Sequence, residues 1–175
     1  MQEVARAIEP EAFPSLMDDL MVEVLREGFR QANADEGSIW LVDGTEEFLV
    51  AVFNTGPRAA EFVGTFKQPL KSGLICMVFA NEQPFVENDV AGNRNQSKLL
   101  DSRLGCQTDA LIAVPFYFLG SCRGVISCVQ LMGNGASSRA RGFSTTALKA
   151  VERSATTLSR LIDHALLSKT VGWLD

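Results

Sequence analysis

The sequence predicts an α+β fold in which helices flank a run of six antiparallel strands. The first observation is a pair of apolar runs, ALIAVPFYF at residues 110–118 and GVISCVQLM at residues 124–132. Both runs are too continuous to have a solvated face, so we expect central strands that are buried on both sides. The second observation is that helical periodicity occurs at the two ends of the chain, with short apolar segments between. Strands grouped together with helices segregated at the ends are typical of α+β domains.

Composition is consistent with this fold and excludes several classes of protein. The chain has 175 residues, of which 46% are hydrophobic and 21% are charged, and we expect one domain over residues 1–175 with its core at about 10–168. A net charge of −5 without a basic cluster argues against nucleic-acid binding. No apolar run approaches the ~20 residues of a membrane span, and the N-terminus lacks the layout of a signal peptide. We therefore expect a cytoplasmic protein.

The first helix is predicted to begin at Ser15, with Asp18 completing a capping box, and to end near Ala32. Its apolar residues are too numerous for one narrow stripe, so one side should pack on the sheet and the other on a second helix. These residues are Leu16, Met17, Leu20, Met21, Val24 and Leu25. Gly28 is expected to weaken the last turn.

The next segments predict strands and a short buried helix. Residues 38–42 and 47–53 flank a hairpin turn at 43–46, and residues 61–66 predict a third strand. Leu74 and Val78, four positions apart, predict the buried face of a helix that opens at Gly73 and ends before Pro84. A short strand at 85–86 then leads into a polar segment at 93–106, which should contain one or two helical turns around Leu99.

The C-terminal part predicts a glycine-rich mobile loop at 133–142 and a long helix. Ser144 is the expected N-cap, with Phe143 and Leu148 placed as a hydrophobic staple. Apolar residues then repeat at spacings of three and four. This heptad pattern is compatible with packing on the domain's own sheet or on a second copy of the chain. The residues of the pattern are Leu148, Val151, Ala155, Leu158, Ile162 and Ala165.

Four segments in order resemble the GAF family of small-molecule-sensing domains. They are GLICMVFANEQPFVENDV at 73–90, ALIAVPF at 110–116, GVISCVQL at 124–131, and Phe143-Ser144 at the start of the last helix. The resemblance implies a six-stranded antiparallel sheet, with terminal helices on one face and a ligand cleft under short helices and loops on the other. It also implies a regulatory domain of a bacterial signalling protein. A homodimer is expected through Leu16, Leu20, Val24, Leu148, Val151, Ala155, Leu158, Ile162 and Ala165.

The resemblance places the ligand beneath the polar segment that follows the strand at 85–86. Pockets of this kind are mostly apolar with a few positioned polar groups. Asp109 carries the most weight among the polar candidates because it opens an apolar strand, whereas Asp89 could equally cap a turn. The candidate apolar wall is Phe66, Ile75, Phe79 and Leu99, and the candidate polar groups are Asn88, Asp89, Asn95, Cys106, Thr108, Asp109 and Gln130.

Known cofactors of the family fit this sequence poorly, so the ligand is left unidentified. Cyclic-nucleotide binders carry Asn-Lys at the end of the last strand, then a Phe and, after three intervening residues, Asp-Glu. Here Gln130-Leu131 and Ala147-Leu148 stand in those places, although Phe143 is retained. Bilin binders carry a cysteine followed by histidine, whereas Gln107 follows Cys106. The single histidine, His164, argues against haem, and the absence of a CxxC spacing argues against zinc.

Three functions remain after these exclusions. The sequence favours a non-catalytic sensor that binds a small molecule and transmits its state through a helical dimer. The second is a dimerisation module whose pocket is closed by Phe66 and Phe79. The third is a thiol enzyme similar to the free methionine sulfoxide reductases of this family, although their cysteines occupy other positions and Arg103 is the one obvious cation near Cys106. Trp173 so close to the C-terminus suggests an effector domain beyond Asp175.

Overall fold

A computed structural model describes residues 8–133 and 142–170 of the chain. A single 3₁₀ turn, Phe13–Leu16, precedes the first α-helix, and a second 3₁₀ turn, Ala59–Glu61, lies between the second and third strands. The helices are α1 (Asp19–Gln31), α2 (Leu74–Asn81), α3 (Leu99–Leu104) and α4 (Thr145–Thr170). The strands are β1 (Glu36–Val42), β2 (Phe48–Asn54), β3 (Lys67–Pro69), β4 (Phe85–Glu87), β5 (Thr108–Phe118) and β6 (Ser121–Leu131).

The six strands form one antiparallel sheet in the order β3-β2-β1-β6-β5-β4. The two long apolar strands, β5 and β6, lie in the interior of the sheet and are joined by a tight turn at Leu119 and Gly120, both with positive φ. Their predicted central position and the six-stranded antiparallel architecture are confirmed. The β1–β2 hairpin is also confirmed, and the Asp43 carboxylate closes its turn by accepting hydrogen bonds from the backbone N–H groups of Glu47 and Phe48.

Helices α1 and α4 pack on one face of the sheet. The core on this face is aromatic at one end, where the rings of Phe13, Phe116 and Phe118 lie within 6.3 Å of one another, centroid to centroid. Residues of α4 complete it: Val151, Leu158 and Ile162 are fully buried and Ala155 is nearly so. Four residues of the predicted heptad pattern therefore pack inside their own domain. They are not on the surface where a second copy could reach them.

The opposite face of the sheet carries a second apolar core under α2, α3 and their connections. It includes Trp40, Leu74, Val78 and Leu111, all buried. Residues 88–106, which run from the end of β4 through α3, lie over this face, and we call them the covering segment. The predicted α+β arrangement, with terminal helices on one face and short elements on the other, is confirmed.

Two predicted elements were wrong in detail. The first helix does not start at Ser15: its N-cap is Asp18, whose carboxylate accepts a hydrogen bond of 2.8 Å from the N–H of Met21, while Ser15 belongs to the preceding 3₁₀ turn. Residues 61–66 are not a strand. Phe66 N–H donates to the carbonyl of Phe62, a helical spacing that buries both rings, and β3 follows at Lys67.

Other predictions for the last helix hold. Ser144 caps α4, because its Oγ accepts a hydrogen bond of 3.2 Å from the N–H of Ala147. His164 is exposed on α4. The loop predicted at 133–142 lies, apart from its two end residues, outside the described residues, and so does Trp173. None of the helices within 8–133 and 142–170 is long and apolar enough to cross a bilayer.

Candidate functional site

A cavity of about 90 Å³ lies between the sheet and the covering segment. One water molecule needs only ~10–15 Å³ of such space, so the cavity is large enough for a small organic molecule. The sheet forms its floor, and α2, α3 and the two residues that flank the 3₁₀ turn, Arg58 and Phe62, close its sides. Its apolar wall consists of Trp40, Phe62, Leu74, Ile75, Leu100, Leu104, Leu111, Val129 and Leu131.

The polar groups on the floor are held by hydrogen bonds to one another. The indole N–H of Trp40 donates to Ser127 Oγ at 3.0 Å, and both groups are buried. The Asn54 side-chain amide donates to Ser38 Oγ at 2.9 Å, while its oxygen accepts from the N–H of Gly56. Because each buried polar atom is paired, the floor is rigid and costs little to desolvate. The hydroxyls of Ser38 and Ser127 nevertheless each retain a proton that could be donated towards the cavity.

Ser97, in the covering segment, differs from these floor residues. Its Oγ is shielded from solvent and has no hydrogen-bond partner among the described residues. A buried hydroxyl without a partner costs about 1–3 kcal/mol, which is why native proteins rarely keep one. Ser97 lines the cavity, so its hydroxyl can reach groups inside the cavity.

Charged groups gather at one end of the cavity, around Cys106. Glu36, Arg58 and Asp101 line this end. Burial raises the pKa of the Cys106 thiol, the Asp101 carboxylate raises it further, Arg58 opposes the change, and Glu36 adds to it. Cys106 is therefore a neutral thiol at neutral pH. The other ionisable side chains at this end are the two carboxylic acids and the Arg58 guanidinium.

The side chains of three residues hold α3 over the cavity by hydrogen bonds. Asp101 accepts two hydrogen bonds from Thr108 at the start of β5, from its N–H at 2.8 Å and from its hydroxyl at 2.9 Å. Arg58 donates to the carbonyl oxygen of Leu104 at the end of α3. Arg103 reaches the opposite way and donates to the carbonyl oxygen of Glu61 at 2.8 Å. Besides these hydrogen bonds, the covering segment is anchored by the buried side chains of Val90 and Leu104, which belong to the core beneath it.

The structure brings three of the predicted ligand-binding residues to the cavity, namely Ile75, Cys106 and Thr108. Phe66 lies behind the wall, its ring 6.1 Å from that of Trp40, and Phe79 lies in a separate depression beside Cys122 and Arg123. Leu99 is 52% exposed. The remaining residues do not line the cavity: Asn88, Asp89, Asn95, Asp109 and Gln130.

The side chains of two of these residues point to the helix side of the fold. Gln130 follows Ser127 and Val129 on β6 at odd spacing, so the alternation of a strand turns it to the opposite face. There it is bonded to the carbonyl of Asn33 and the N–H of Gly142. Asn88 is bonded to the backbone of Phe143.

Sequence reasoning missed most of the polar cavity lining. The one signal available was Ser127, a hydroxyl inside the apolar run of β6, which by alternation had to face one of the two cores. Arg58 gave no signal because it is an ordinary charged residue in a loop with Gly56 and Pro57. Other lining residues that the sequence did not indicate are Glu36, Ser38, Asn54, Gln68, Gln96, Ser97 and Asp101.

The four cysteines are all free thiols. Burial raises the pKa of Cys76 to about 12, of Cys122 to about 11 and of Cys128 to about 12. In the part of the chain that the structure describes, no group of three or more His, Cys, Asp or Glu side chains is arranged to hold a metal ion.

Comparison with solved structures shows where this architecture recurs. The GAF domain of a two-component sensor histidine kinase from Bacillus halodurans aligns with a TM-score of 0.65 at 14% identity, covering 88% of this chain and 99% of that one. The GAF domain of a phosphoenolpyruvate-protein phosphotransferase from Coxiella burnetii gives 0.61 at 18%, covering 88% and 97%. Free methionine-R-sulfoxide reductase from Neisseria meningitidis, in complex with its substrate, gives 0.62 at 17%, covering 95% and 86%.

At these identities the structural likeness shows the fold alone. No curated protein matched the sequence significantly. The family model described as GAF domain, however, matches residues 15–163, which include the whole sheet, the covering segment and most of α4. The chain therefore belongs to the GAF domain family.

Proposed function

We propose that this protein is a non-catalytic sensory domain that binds a small molecule in the cavity beneath the covering segment. GAF domains are commonly regulatory, sensory domains of signalling proteins. The observation that carries the proposal is the 90 Å³ cavity with the unpartnered hydroxyl of Ser97 on its wall. A bound molecule would supply the missing hydrogen bond and exclude water from the apolar wall.

An open cavity distinguishes this proposal from a dimerisation module with a closed pocket. Phe66 and Phe79 are the large side chains expected to fill a closed pocket. Phe66 instead packs edge-on against Trp40, with an interplanar angle of 75°, and Phe79 lies in a different depression. Neither ring lines the cavity.

A thiol enzyme is the weaker alternative because thiol catalysis requires a thiolate. Cys106 is the one cysteine that lines the cavity, and burial together with Asp101 raises its pKa. Thiols that serve as nucleophiles have a lowered pKa instead. The cavity surroundings thus favour binding over chemistry at sulfur.

We further propose that the domain acts as a homodimer through the surface formed by α1 and α4, within a signalling protein that carries an effector domain. The buried heptad residues cannot serve this contact. The predicted residues that remain at the surface are Leu20, which is 60% exposed, and the half-buried Leu16, Val24, Leu148 and Ala165.

A thermal-shift screen with a library of small metabolites tests ligand binding. A ligand at ~100 times its dissociation constant adds about 2.7 kcal/mol to the free energy of unfolding, enough to raise the melting temperature by several degrees. Ser97→Phe should abolish the shift because the ring would occupy the cavity. Ser102→Phe, the same change at an exposed position of the covering segment, is the matched control.

The proposal requires a compound that stabilises the native protein and the Ser102→Phe variant but not Ser97→Phe. A hit that stabilises both variants equally would place binding elsewhere on the molecule. A screen without any hit, on protein whose Ser97→Phe variant melts higher than the native chain, would favour the closed module.

A further inference from the structure

Asn88, at the junction between β4 and the covering segment, is joined to the start of α4 by two hydrogen bonds. Its Nδ2 donates to the carbonyl oxygen of Phe143 at 3.1 Å, and its Oδ1 accepts from the N–H of Phe143 at 2.7 Å. The side-chain amide thus pairs with the backbone as a neighbouring peptide group would. Phe143 immediately precedes Ser144, the N-cap of α4.

Gln130 makes a second bridge to the same place. Its Oε1 accepts from the N–H of Gly142 at 2.8 Å, and its Nε2 donates to the carbonyl oxygen of Asn33, two residues after the end of α1. Gln130 is 4% exposed, so these bonds lie in a shielded environment. We call Asn33, Asn88, Gln130, Gly142 and Phe143 the amide network.

The amide network connects the cover of the cavity to both terminal helices. The covering segment starts at the residue whose side chain holds Phe143, and it continues to the cavity-lining residues Ser97, Leu100 and Asp101. Among the described residues, no other side chain of the covering segment forms a hydrogen bond with α4 or with the two residues before it. A displacement of the covering segment would therefore act on Phe143 before it acts on the rest of α4.

The start of α4 is suited to respond. The first four N–H groups of a helix lack partners within the helix, so the order of its first turn depends on external contacts. The ends of helices are also the parts that open most readily in native proteins. Ser144 supplies one such contact, and Asn88 fixes the residue before it.

We infer that the amide network transmits the state of the cavity to the first turn of α4, with Asn88 as the coupling residue. This inference rests on the proposed function, since it assigns the route by which a bound molecule would act. It gives a role to Asn88 and Gln130, two polar residues that do not line the cavity.

The inference can be tested without a ligand, by disturbing the cover directly. Asp101→Asn weakens the two bonds that tie α3 to Thr108. Hydrogen–deuterium exchange, read by mass spectrometry in peptides covering residues 143–150 of the full chain, reports the order of the first turn of α4. The substitution is made in the native background and in the Asn88→Ala background.

In the native background, Asp101→Asn should raise exchange in this turn by about three- to tenfold, the scale set by one or two hydrogen bonds. In the Asn88→Ala background, exchange should already be raised, and Asp101→Asn should change it by less than about twofold. Asn95→Ala removes another exposed asparagine of the covering segment and should leave the response to Asp101→Asn intact. Because Asn88 is exposed, its substitution should not open the core.

An equal response to Asp101→Asn in both backgrounds would overturn the inference, and so would a first turn that never responds. If Asn88→Ala does not fold, Asn88→Asp replaces it, keeping the acceptor for Phe143 N–H but losing the donor, and it should reduce the response. These outcomes are independent of the thermal-shift screen. If the thermal-shift screen finds no ligand, the exchange experiment can still be interpreted. If the exchange experiment overturns the coupling, the proposal of ligand binding is unaffected.

Discussion

Cys106 is the cavity residue whose chemistry the surroundings change most directly. Its thiol is partly removed from water, and the Asp101 carboxylate disfavours a second negative charge. Arg58 acts in the opposite direction without reversing the shift. The site consequently holds a protonated sulfur, which can contact a ligand but is a poor nucleophile at neutral pH.

We predict that Cys106 reacts with iodoacetamide at pH 8 several times more slowly than free cysteine, because less of it is thiolate. The raised pKa also means that the rate should keep increasing with pH beyond 9.0, the ordinary pKa of the thiol. The extent of modification is read by mass spectrometry of the peptide that contains Cys106, with Cys106→Ser as the blank. A rate that levels off below pH 8 would show a thiolate and restore the enzymatic alternative.

At this scale, the sequence predicted some neighbours of the cavity and not others, for a geometric reason. Asp109 was favoured because it opens an apolar strand, but the pairing of β5 with β6 is irregular between Thr108 and Ala110. Such an irregularity shifts the alternation of side chains, and Thr108 is the residue that lines the cavity. A bulge of this kind cannot be predicted from the order of apolar and polar residues in the sequence.

Among the elements, the contact between α1 and α4 depends on one glycine. A Cβ atom built on Gly28 would lie 2.1 Å from Ser154 Oγ and 2.7 Å from Ser154 Cβ. Gly28 was expected merely to weaken the end of its helix. Instead, its missing side chain is what allows the two helices to approach so closely, a requirement that depends on the partner helix and cannot be read from α1 alone.

Gly28→Ala should therefore lower the free energy of unfolding by about 1–2 kcal/mol, even though alanine is the better helix former by about 1 kcal/mol. The clash outweighs the gain in propensity. Chemical denaturation measures the change, and Ser154→Gly in the same chain should restore part of the loss because it removes both close atoms. A stabilised Gly28→Ala variant would mean that the helices are further apart than described.

The elements that the sequence predicted best are those with strong periodicity. The continuous apolar runs of β5 and β6 predict buried strands, and the spacing of three and four in α4 predicts a helix. Short elements were less certain: Phe62 and Phe66, four positions apart, lie on one helical turn, yet the β-branched and aromatic residues of EFVGTF favoured a strand. In this segment, burial of both phenylalanine rings outweighs the strand propensity of the local sequence.

At the level of the whole molecule, surface exposure distinguishes residues that could form a dimer interface from residues that stabilise the fold of a single chain. Leu158 is fully buried within the chain, whereas Leu20 is 60% exposed on α1. A charge at Leu158 therefore acts on the folding equilibrium, whereas a charge at Leu20 acts on the equilibrium between monomer and dimer. The heptad pattern in the sequence could not distinguish these roles, because packing on a sheet and packing on a second helix use the same spacing.

Leu20→Asp should dissociate the proposed homodimer into folded monomers, as measured by sedimentation velocity. Leu158→Asp should abolish the cooperative unfolding transition, because a buried unpaired carboxylate costs as much as the ~5–15 kcal/mol that stabilises a typical domain. Leu99→Asp, which alters another exposed leucine away from α1 and α4, is the control and should remain dimeric. A native protein that sediments as a monomer, or a dimer indifferent to Leu20→Asp, would contradict the proposed interface.

Native mass spectrometry can show directly that the cavity holds a small molecule, as we propose. The native chain and the Ser97→Phe variant are each incubated with the small-molecule extract of the cells that express them, and their native and denatured masses are compared. The native chain should carry a non-covalent mass increment that is lost on denaturation and is absent from Ser97→Phe. An unliganded native chain, or the same increment on both proteins, would contradict the proposal.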